Sequence, residues 1–78
     1  QSLSIRALHE DAQGVIWVGT ADAGVCRISA DSHRQYTEQD GLVNNDVRAV
    51  LQDLDGKVWI ATSQGLCVLS NNVFHVIG

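Results

Sequence analysis

The chain has 78 residues, a net charge of −4, 45% hydrophobic and 18% charged residues, which is typical of a globular protein rather than a disordered one. Its five basic residues are scattered, which excludes a nucleic-acid-binding surface built on clustered Lys and Arg. No apolar run approaches the roughly 20 residues of a membrane-spanning helix, so we expect no direct membrane insertion. The chain starts at Gln1 and contains no Met, so we expect it to be part of a longer protein.

The first half of the chain predicts four short strands separated by turns. Val15 to Thr20 is the clearest, because it is a nearly continuous run of β-branched, aromatic and small residues typical of a strand covered on both faces. No apolar stripe with a 3.6-residue period is present, which excludes a helical interpretation. The predicted strands are Ile5–His9, Val15–Thr20, Val25–Ser29 and Arg34–Thr37.

The second half repeats this order. A polar segment, Glu38 to Asn45, leads into predicted strands at Val47–Gln52, Lys57–Thr62, Leu66–Ser70 and Val73–Ile77. Residues 5–20 match residues 47–62 at an offset of 42, and the identical pairs are Arg6/Arg48, Ala7/Ala49, Asp11/Asp53, Gly14/Gly56, Trp17/Trp59 and Thr20/Thr62. The offset then becomes 41, and the match continues through Gly24/Gly65, Cys26/Cys67 and Ser29/Ser70.

A repeat of about 40 residues that carries four short strands is typical of a β-propeller blade. The sequence therefore predicts an all-β fold of two four-stranded antiparallel blades, residues 1–42 and 43–78. Each unit is too short to bury a core alone, so it must stack on a neighbour. Two blades are fewer than the 4–8 of a closed propeller. We therefore expect the partners to be other blades, supplied by three or four copies of the chain or by a longer parent chain.

The repeated pattern [IV]-x-x-[LV]-x-x-D-x-x-G-x-[IV]-W-[IV]-[GA]-T, followed by G-[VL], resembles the two-component regulator propeller repeat. Tyr36-Thr37 followed by Asp40-Gly41-Leu42 and Asn45 resembles the segment between blades in that family. The departures are small: Ala61 stands where the first copy has Gly19, and Leu51 where it has His9. The resemblance implies a sensor propeller, usually periplasmic, attached to a bacterial histidine kinase, hybrid kinase or diguanylate cyclase. Any catalysis would then belong to domains outside this chain.

Six repeated residues are predicted to be structural. Trp17 and Trp59 lie in the middle of double-covered strands, so we expect buried indoles at equivalent sites, each with a partner for its N–H group. Gly14 and Gly56 supply the positive φ of a hairpin turn. Thr20 and Thr62 end the strands that carry the Trp residues.

Cys26 and Cys67 occupy equivalent positions in adjacent blades. Stacked sheets lie about 10 Å apart, beyond the roughly 7 Å that separates the Cα atoms of a disulfide, so we expect free, buried thiols. Asp53 to Gly56 resembles the start of a calcium loop but lacks the later ligands, so a hairpin turn is favoured. The sequence predicts neither a metal site nor a cofactor, and no catalytic arrangement is visible.

Loops are the remaining functional candidates. In a propeller, the turns between the second and third strands and the links between blades open at one end of the fold. The polar residues there are Asp22, Gln64, Asp40, Asn44 and Asn45, which could contact a small-molecule or saccharide ligand.

Three functions agree with these residues. The first is a non-catalytic binding module of a signalling receptor. The second is part of an enzyme, because propeller lyases that act on streptogramin antibiotics have similar Gly-x-x-Trp strands. The third is a self-assembling two-blade fragment.

Overall fold

The computed structural model describes residues 4–77, which form two four-stranded antiparallel sheets with strands in sequential order. Blade 1 contains β1 (Ile5–Glu10), β2 (Ile16–Thr20), β3 (Val25–Ile28) and β4 (His33–Tyr36). Blade 2 contains β5 (Val47–Gln52), β6 (Val58–Thr62), β7 (Gly65–Ser70) and β8 (Val73–Ile77). A short 3-10 helix, Glu38–Asp40, lies between the sheets. The predicted all-β class with two four-stranded blades is confirmed. None of residues 4–77 belongs to a helix long and apolar enough to cross a membrane.

Strand boundaries differ from the predicted ones by at most one residue at each end, and the turns explain the clearest differences. β2 and β6 begin one residue later than predicted because Val15 and Lys57 still belong to the preceding turns. Their N–H groups donate to the side chains of Asp11 and Asp53 rather than to a neighbouring strand. β4 ends at Tyr36 because Thr37 caps the 3-10 helix.

The equivalent strands β1 and β5 each contain an irregularity in register. In β5 it lies between Val47 and Ala49, and in β1 between Ile5 and Ala7. An extra residue in a strand breaks the alternation of side chains. As a result Val47 and Val50, three residues apart, are both buried toward blade 1.

The hydrophobic core lies between the two sheets. We call the face of each sheet that carries its Trp the front face, and the opposite face, which carries its Cys, the back face. The front face of blade 1 packs on the back face of blade 2 and buries one contiguous cluster: Val15, Trp17, Val25, Tyr36, Leu42, Val47, Val50, Val58, Ile60, Cys67 and Leu69.

An aromatic cluster closes this interface at its outer side. The rings of Trp17 and Tyr36 are stacked with centroids 6.3 Å apart, and Phe74 of blade 2 meets Tyr36 edge-on at 5.5 Å. The Arg34 guanidinium lies 4.7 Å from the centre of the Tyr36 ring. Pairs of this geometry add about 0.5–1.5 kcal/mol beyond the burial of their apolar area. Tyr36 therefore links the outer strands of both blades.

Within residues 4–77 only one face of each blade is covered, which corrects the expectation that both indoles are buried. Trp17 is 4% exposed, whereas Trp59 is only partly buried. The reason is geometric: the front face of blade 1 has blade 2 against it, while the front face of blade 2 has no sheet against it within residues 4–77.

Among the glycines in turns between strands, Gly24 leaves the least room for a Cβ atom. Its φ is +81°, and a Cβ at this position would collide with the carbonyl oxygen of Tyr36. Gly56 has nearly the same φ, +85°, but open space around the position of a Cβ. Substitutions at these two glycines therefore separate the cost of backbone strain from the cost of a steric collision.

We expect Gly56→Ala to lower the free energy of unfolding by about 1 kcal/mol, the cost of a left-handed residue. Gly24→Ala should lower it by about 3 kcal/mol, since the collision adds an overpacking cost. Urea denaturation of both variants at one protein concentration measures the difference. Equal effects would show that the β2–β3 turn yields freely at Tyr36.

Candidate functional site

The first hairpin turn of each blade is organised by an aspartate. One carboxylate oxygen of Asp11, Oδ1, accepts the N–H groups of Gln13 and Val15 at 2.9 and 3.0 Å. The other oxygen, Oδ2, accepts the indole N–H of Trp17 at 2.9 Å. A single side chain thus closes the turn and satisfies the polar atom of the Trp that packs between the blades.

Blade 2 repeats this arrangement. Asp53 accepts the N–H groups of Asp55 and Lys57 through Oδ1 and the indole N–H of Trp59, at 2.8 Å, through Oδ2. A partner for each indole N–H was predicted from the sequence, but not which residue supplies it. The signal was present, because an Asp precedes the Trp by six residues in both copies. The predicted hairpin glycines, Gly14 and Gly56, complete these turns with φ of +82° and +85°.

The pKa of both carboxyl groups lies below the usual 3.8. For Asp11, partial burial is the largest influence and acts to raise the pKa, but the bonds from Trp17 and from the Val15 and Gln13 N–H groups together outweigh it. For Asp53 the Trp59 indole bond is the largest cause and lowers the pKa. Both side chains are therefore held in the ionised form that the turns require.

The link between the blades is held by its own side chains. Thr37 and Asp40 form a capping box around the 3-10 helix: Thr37 Oγ1 accepts the Gln39 N–H, and Asp40 Oδ2 accepts the Thr37 N–H at 2.9 Å. Gly41 ends the helix with a φ of +108°, and its N–H donates to the Glu38 carbonyl. The link is therefore an ordered turn rather than a loose tether.

Two asparagines fasten the end of the link. The Glu38 N–H donates to Asn45 Oδ1 at 2.9 Å, and the Asn45 N–H donates to Glu38 Oε2 at 3.0 Å. The Asn45 carbonyl accepts the N–H of Gly24, which joins the link to the β2–β3 turn of blade 1. Asn44 Oδ1 accepts from the Asp46 N–H and the Ser63 hydroxyl, which joins the link to the β6–β7 turn of blade 2.

The two β2–β3-type turns are closed by threonine. Thr20 Oγ1 donates to the Gly24 carbonyl at 2.8 Å and accepts the Ala23 N–H, and it is fully buried. In the second copy Thr62 Oγ1 donates to the Gly65 carbonyl at 2.8 Å and accepts the Gln64 N–H. The same side chain therefore closes both turns, although they differ by one residue in length.

The five residues predicted as ligand candidates all lie at this end of the blades, but they differ in how they are used. Asp40, Asn44 and Asn45 hold the link together through the bonds just described. The side chains of Asp22 and Gln64 are exposed and make no hydrogen bond within residues 4–77. They stand on equivalent turns of the two blades, so they are the two members of the set that are free to meet a ligand.

Three ion pairs surround the same end. Arg34 Nη2 lies 3.6 Å from Asp40 Oδ1, and Asp46 is approached by Arg48 at 3.1 Å and by Arg6 of blade 1 at 3.4 Å. Asp46 Oδ1 is buried and lacks a hydrogen bond of good geometry within the described residues, so the Arg6 contact with it is a charge contact across the blades. The Arg side chains of these pairs are exposed and the Asp side chains are partly exposed, so each pair contributes less than about 1 kcal/mol.

A polar cleft that was not predicted from the sequence opens at the opposite end of the fold, between the first hairpin turns of the two blades. It has a volume of about 340 Å³ and is lined by His9, Glu10, Gln13, Gln52 and Asp53, with Ala12, Leu54 and Gly56. Gln52 is shared between the blades: its Oε1 accepts the Ala12 N–H at 3.0 Å, its Nε2 donates to Gln13 Oε1, and its N–H donates to His9 Nε2. The cleft polar groups thus fasten blade 1 to blade 2.

Both cysteines carry free thiols, with Cys67 buried and Cys26 half-buried. Burial raises the pKa of each thiol, so neither is activated as a nucleophile. Within residues 4–77 no three His, Cys, Asp or Glu side chains are placed to hold a metal ion. What the arrangement offers chemically is hydrogen bonding from rigidly held turns.

Residues 1–22 and 41–64 match the family described as two component regulator propeller, and together they cover more than half of the chain. Each segment contains one copy of the Asp–Trp arrangement. A protein of Formosa agariphila named histidine kinase P4 is 30% identical over 73 residues. The match covers 86% of this chain but 5% of that protein, so the chain spans a small part of the length of its relative.

We expect Asp11→Asn to lower the free energy of unfolding by about 1 kcal/mol, since the amide can still accept the backbone N–H groups but its NH₂ group cannot accept the Trp17 indole N–H. Urea denaturation followed by Trp fluorescence measures the change. Asp31→Asn is the matched control, because Asp31 is exposed on another turn. A loss no larger than that of the control would contradict the role of the indole bond.

The pH dependence follows from the lowered pKa of Asp11 and Asp53. A carboxyl group with a lower pKa in the folded state stabilises the fold above the unfolded pKa and loses that contribution as the pH falls through the folded one. Stability should therefore decline below about pH 4. Asp11→Asn should flatten this decline in unfolding free energies measured from neutral to acid pH. An unchanged slope would contradict the assignment.

Proposed function

Since the chain belongs to the two-component regulator propeller family, we propose that its two blades are a non-catalytic part of the ligand-sensing or protein-interaction propeller of a bacterial signalling receptor. The observation that carries this proposal is the placement of Asp22 and Gln64. These exposed side chains stand on equivalent turns at the end of the fold where the link is fastened to both blades.

The rigidity of this end supports a binding role. The link contacts the turn of Asp22 through the Gly24 N–H and the turn of Gln64 through the Ser63 hydroxyl. A ligand that bound across these turns would meet groups already held in place, so it would lose little affinity to ordering of the protein. It would also contact both blades and the link at once.

The chemistry of this end favours a neutral, polar ligand. Asp40 and Asp46 at this end are paired with Arg side chains, whereas Asp22 and Glu38 form no ion pair within residues 4–77. The chain as a whole has a net charge of −4, so anionic ligands would be disfavoured. A carboxylate and an amide accept and donate hydrogen bonds in the pattern that sugar hydroxyls satisfy. We therefore place a neutral saccharide first among small-molecule ligands.

The relative named as a histidine kinase supports an output through signalling. In this proposal the propeller lies in the periplasm, and ligand occupancy is passed to a signalling domain in another part of the receptor. The blades themselves perform no reaction; they supply the binding surface and transmit its occupancy through their contacts with neighbouring blades.

We expect neutral oligosaccharides of glucose, galactose or mannose to bind the chain in isothermal titration calorimetry, and uronic-acid oligosaccharides to bind more weakly. The double variant Asp22→Ala, Gln64→Ala should weaken binding about tenfold or more, as loss of two polar contacts to a ligand would. Asp31→Ala, on an exposed turn at the other end, is the control. Binding that is equal in both variants, or detectable only for the uronic acids, would refute this site.

A further inference from the structure

Two apolar faces are uncovered within residues 4–77: the back face of blade 1 and the front face of blade 2. Each is the repeat equivalent of a face that is buried in the contact between blades 1 and 2. The two uncovered faces are therefore equivalent to the two faces that meet between blades 1 and 2, and they lie on opposite sides of the chain.

The back faces show this most clearly. Leu8 of blade 1 is 70% exposed, whereas its equivalent Val50 in blade 2 is 8% exposed. Ile28 is 43% exposed and its equivalent Leu69 is 6% exposed. The residues between them follow the same rule, with Ile16, Val18 and Cys26 half-buried where Val58, Ile60 and Cys67 are buried.

In the front faces it is blade 2 that is exposed and blade 1 that is buried. Ile77 of blade 2 is 45% exposed, whereas its equivalent Tyr36 is 2% exposed. Trp59 is half-buried beside a hollow of about 260 Å³ that is also lined by Val68 and Ile77. In blade 1 the equivalent surface around Trp17 is filled by blade 2.

A polar contact of the internal interface can also be repeated. The Oε1 atom of Gln52 accepts the N–H of Ala12 across the two blades. In the repeat, Glu10 corresponds to Gln52 and Leu54 corresponds to Ala12. A second chain placed like blade 2 would bring its Glu10 carboxylate to the exposed turn of Leu54, where an N–H donor is available.

We propose that the front face of blade 2 binds the back face of blade 1 of a second copy of this chain. The contact continues the arrangement of blades 1 and 2, with Leu8, Ile28 and Glu10 of one copy in the places of Val50, Leu69 and Gln52. Because the two faces differ, the contact is head-to-tail and closes into a ring when the rotation per blade permits. Three copies give six blades and four give eight, both within the range of closed propellers. This contact does not depend on the proposed sensory role.

Two single-face variants test it. Leu8→Glu places a charge on the back face of blade 1, and Ile77→Glu places one on the front face of blade 2. Both positions are exposed in the single chain, so the charge stays hydrated until a copy binds. Val76→Glu is the matched control: Val76 pairs with Cys67 and so lies on the opposite face of β8 from Ile77, and it stays 66% exposed although blade 1 packs on that face.

Light scattering over a range of protein concentrations should show assemblies of more than one copy for the unmodified chain and for Val76→Glu. Each single-face variant should weaken self-association more than about thirtyfold, because a charge would be buried without a partner. An equimolar mixture of Leu8→Glu and Ile77→Glu should nevertheless form a two-copy complex, since each variant keeps the face that the other lacks.

A monomeric unmodified chain, folded or unfolded, would overturn the proposal. So would a mixture that stays monomeric, or a control that weakens association as strongly as the two variants. A control that weakens association as strongly would mean that apolar side chains cluster without a specific contact. A monomeric unmodified chain is also the result expected if these faces bind a different protein and not a second copy.

The thiol of Cys26 gives an independent measurement. It lies on the back face of blade 1 and is half-buried, while its equivalent Cys67 is fully buried by the neighbouring blade. A bulky thiol reagent should therefore label Cys26 in dilute protein and lose access to it as the concentration rises. In Ile77→Glu the labelling should stay independent of concentration. Protection that persists in this variant would contradict the contact.

Discussion

The fold depends on the burial of apolar side chains between two sheets. Neither sheet encloses a core, and the contiguous cluster takes its residues from the front of blade 1 and the back of blade 2. Burial of Trp17 alone contributes about 2–3 kcal/mol. Such a blade is stable only against a neighbour. The strands are accordingly apolar on both faces, although in the part of the chain that the structure describes each sheet has one face covered.

The aspartate of each first turn connects this packing to the local backbone. Asp11 fixes the hairpin and accepts the Trp17 indole N–H, so the largest apolar side chain of the blade enters the interface without leaving a polar atom unsatisfied. Asp53 does the same for Trp59, whose ring is only partly covered. The arrangement therefore forms without a sheet packed against the face that carries the Trp.

Much of the fold could be predicted from the sequence because the repeat displays each element twice. The strands around Trp17 and Trp59 and the turns at Gly14 and Gly56 follow from composition and glycine placement. The partial exposure of Trp59 could not be predicted, because the sequence pattern is the same for a covered and an uncovered face. The link bonds of Asn44 and Asn45 could not be predicted either, since a polar residue in a turn has the same sequence signature whether it binds a ligand or holds the backbone.

The threonine that closes each β2–β3-type turn has a consequence for how such a protein diversifies. Thr20 and Thr62 bond the glycine carbonyl at the far side of the turn, with three intervening residues in one copy and two in the other. The strands are thus insulated from the length of the loop between them. Insertions or deletions can accumulate at that apex while the scaffold is conserved, so specificity can evolve separately from stability.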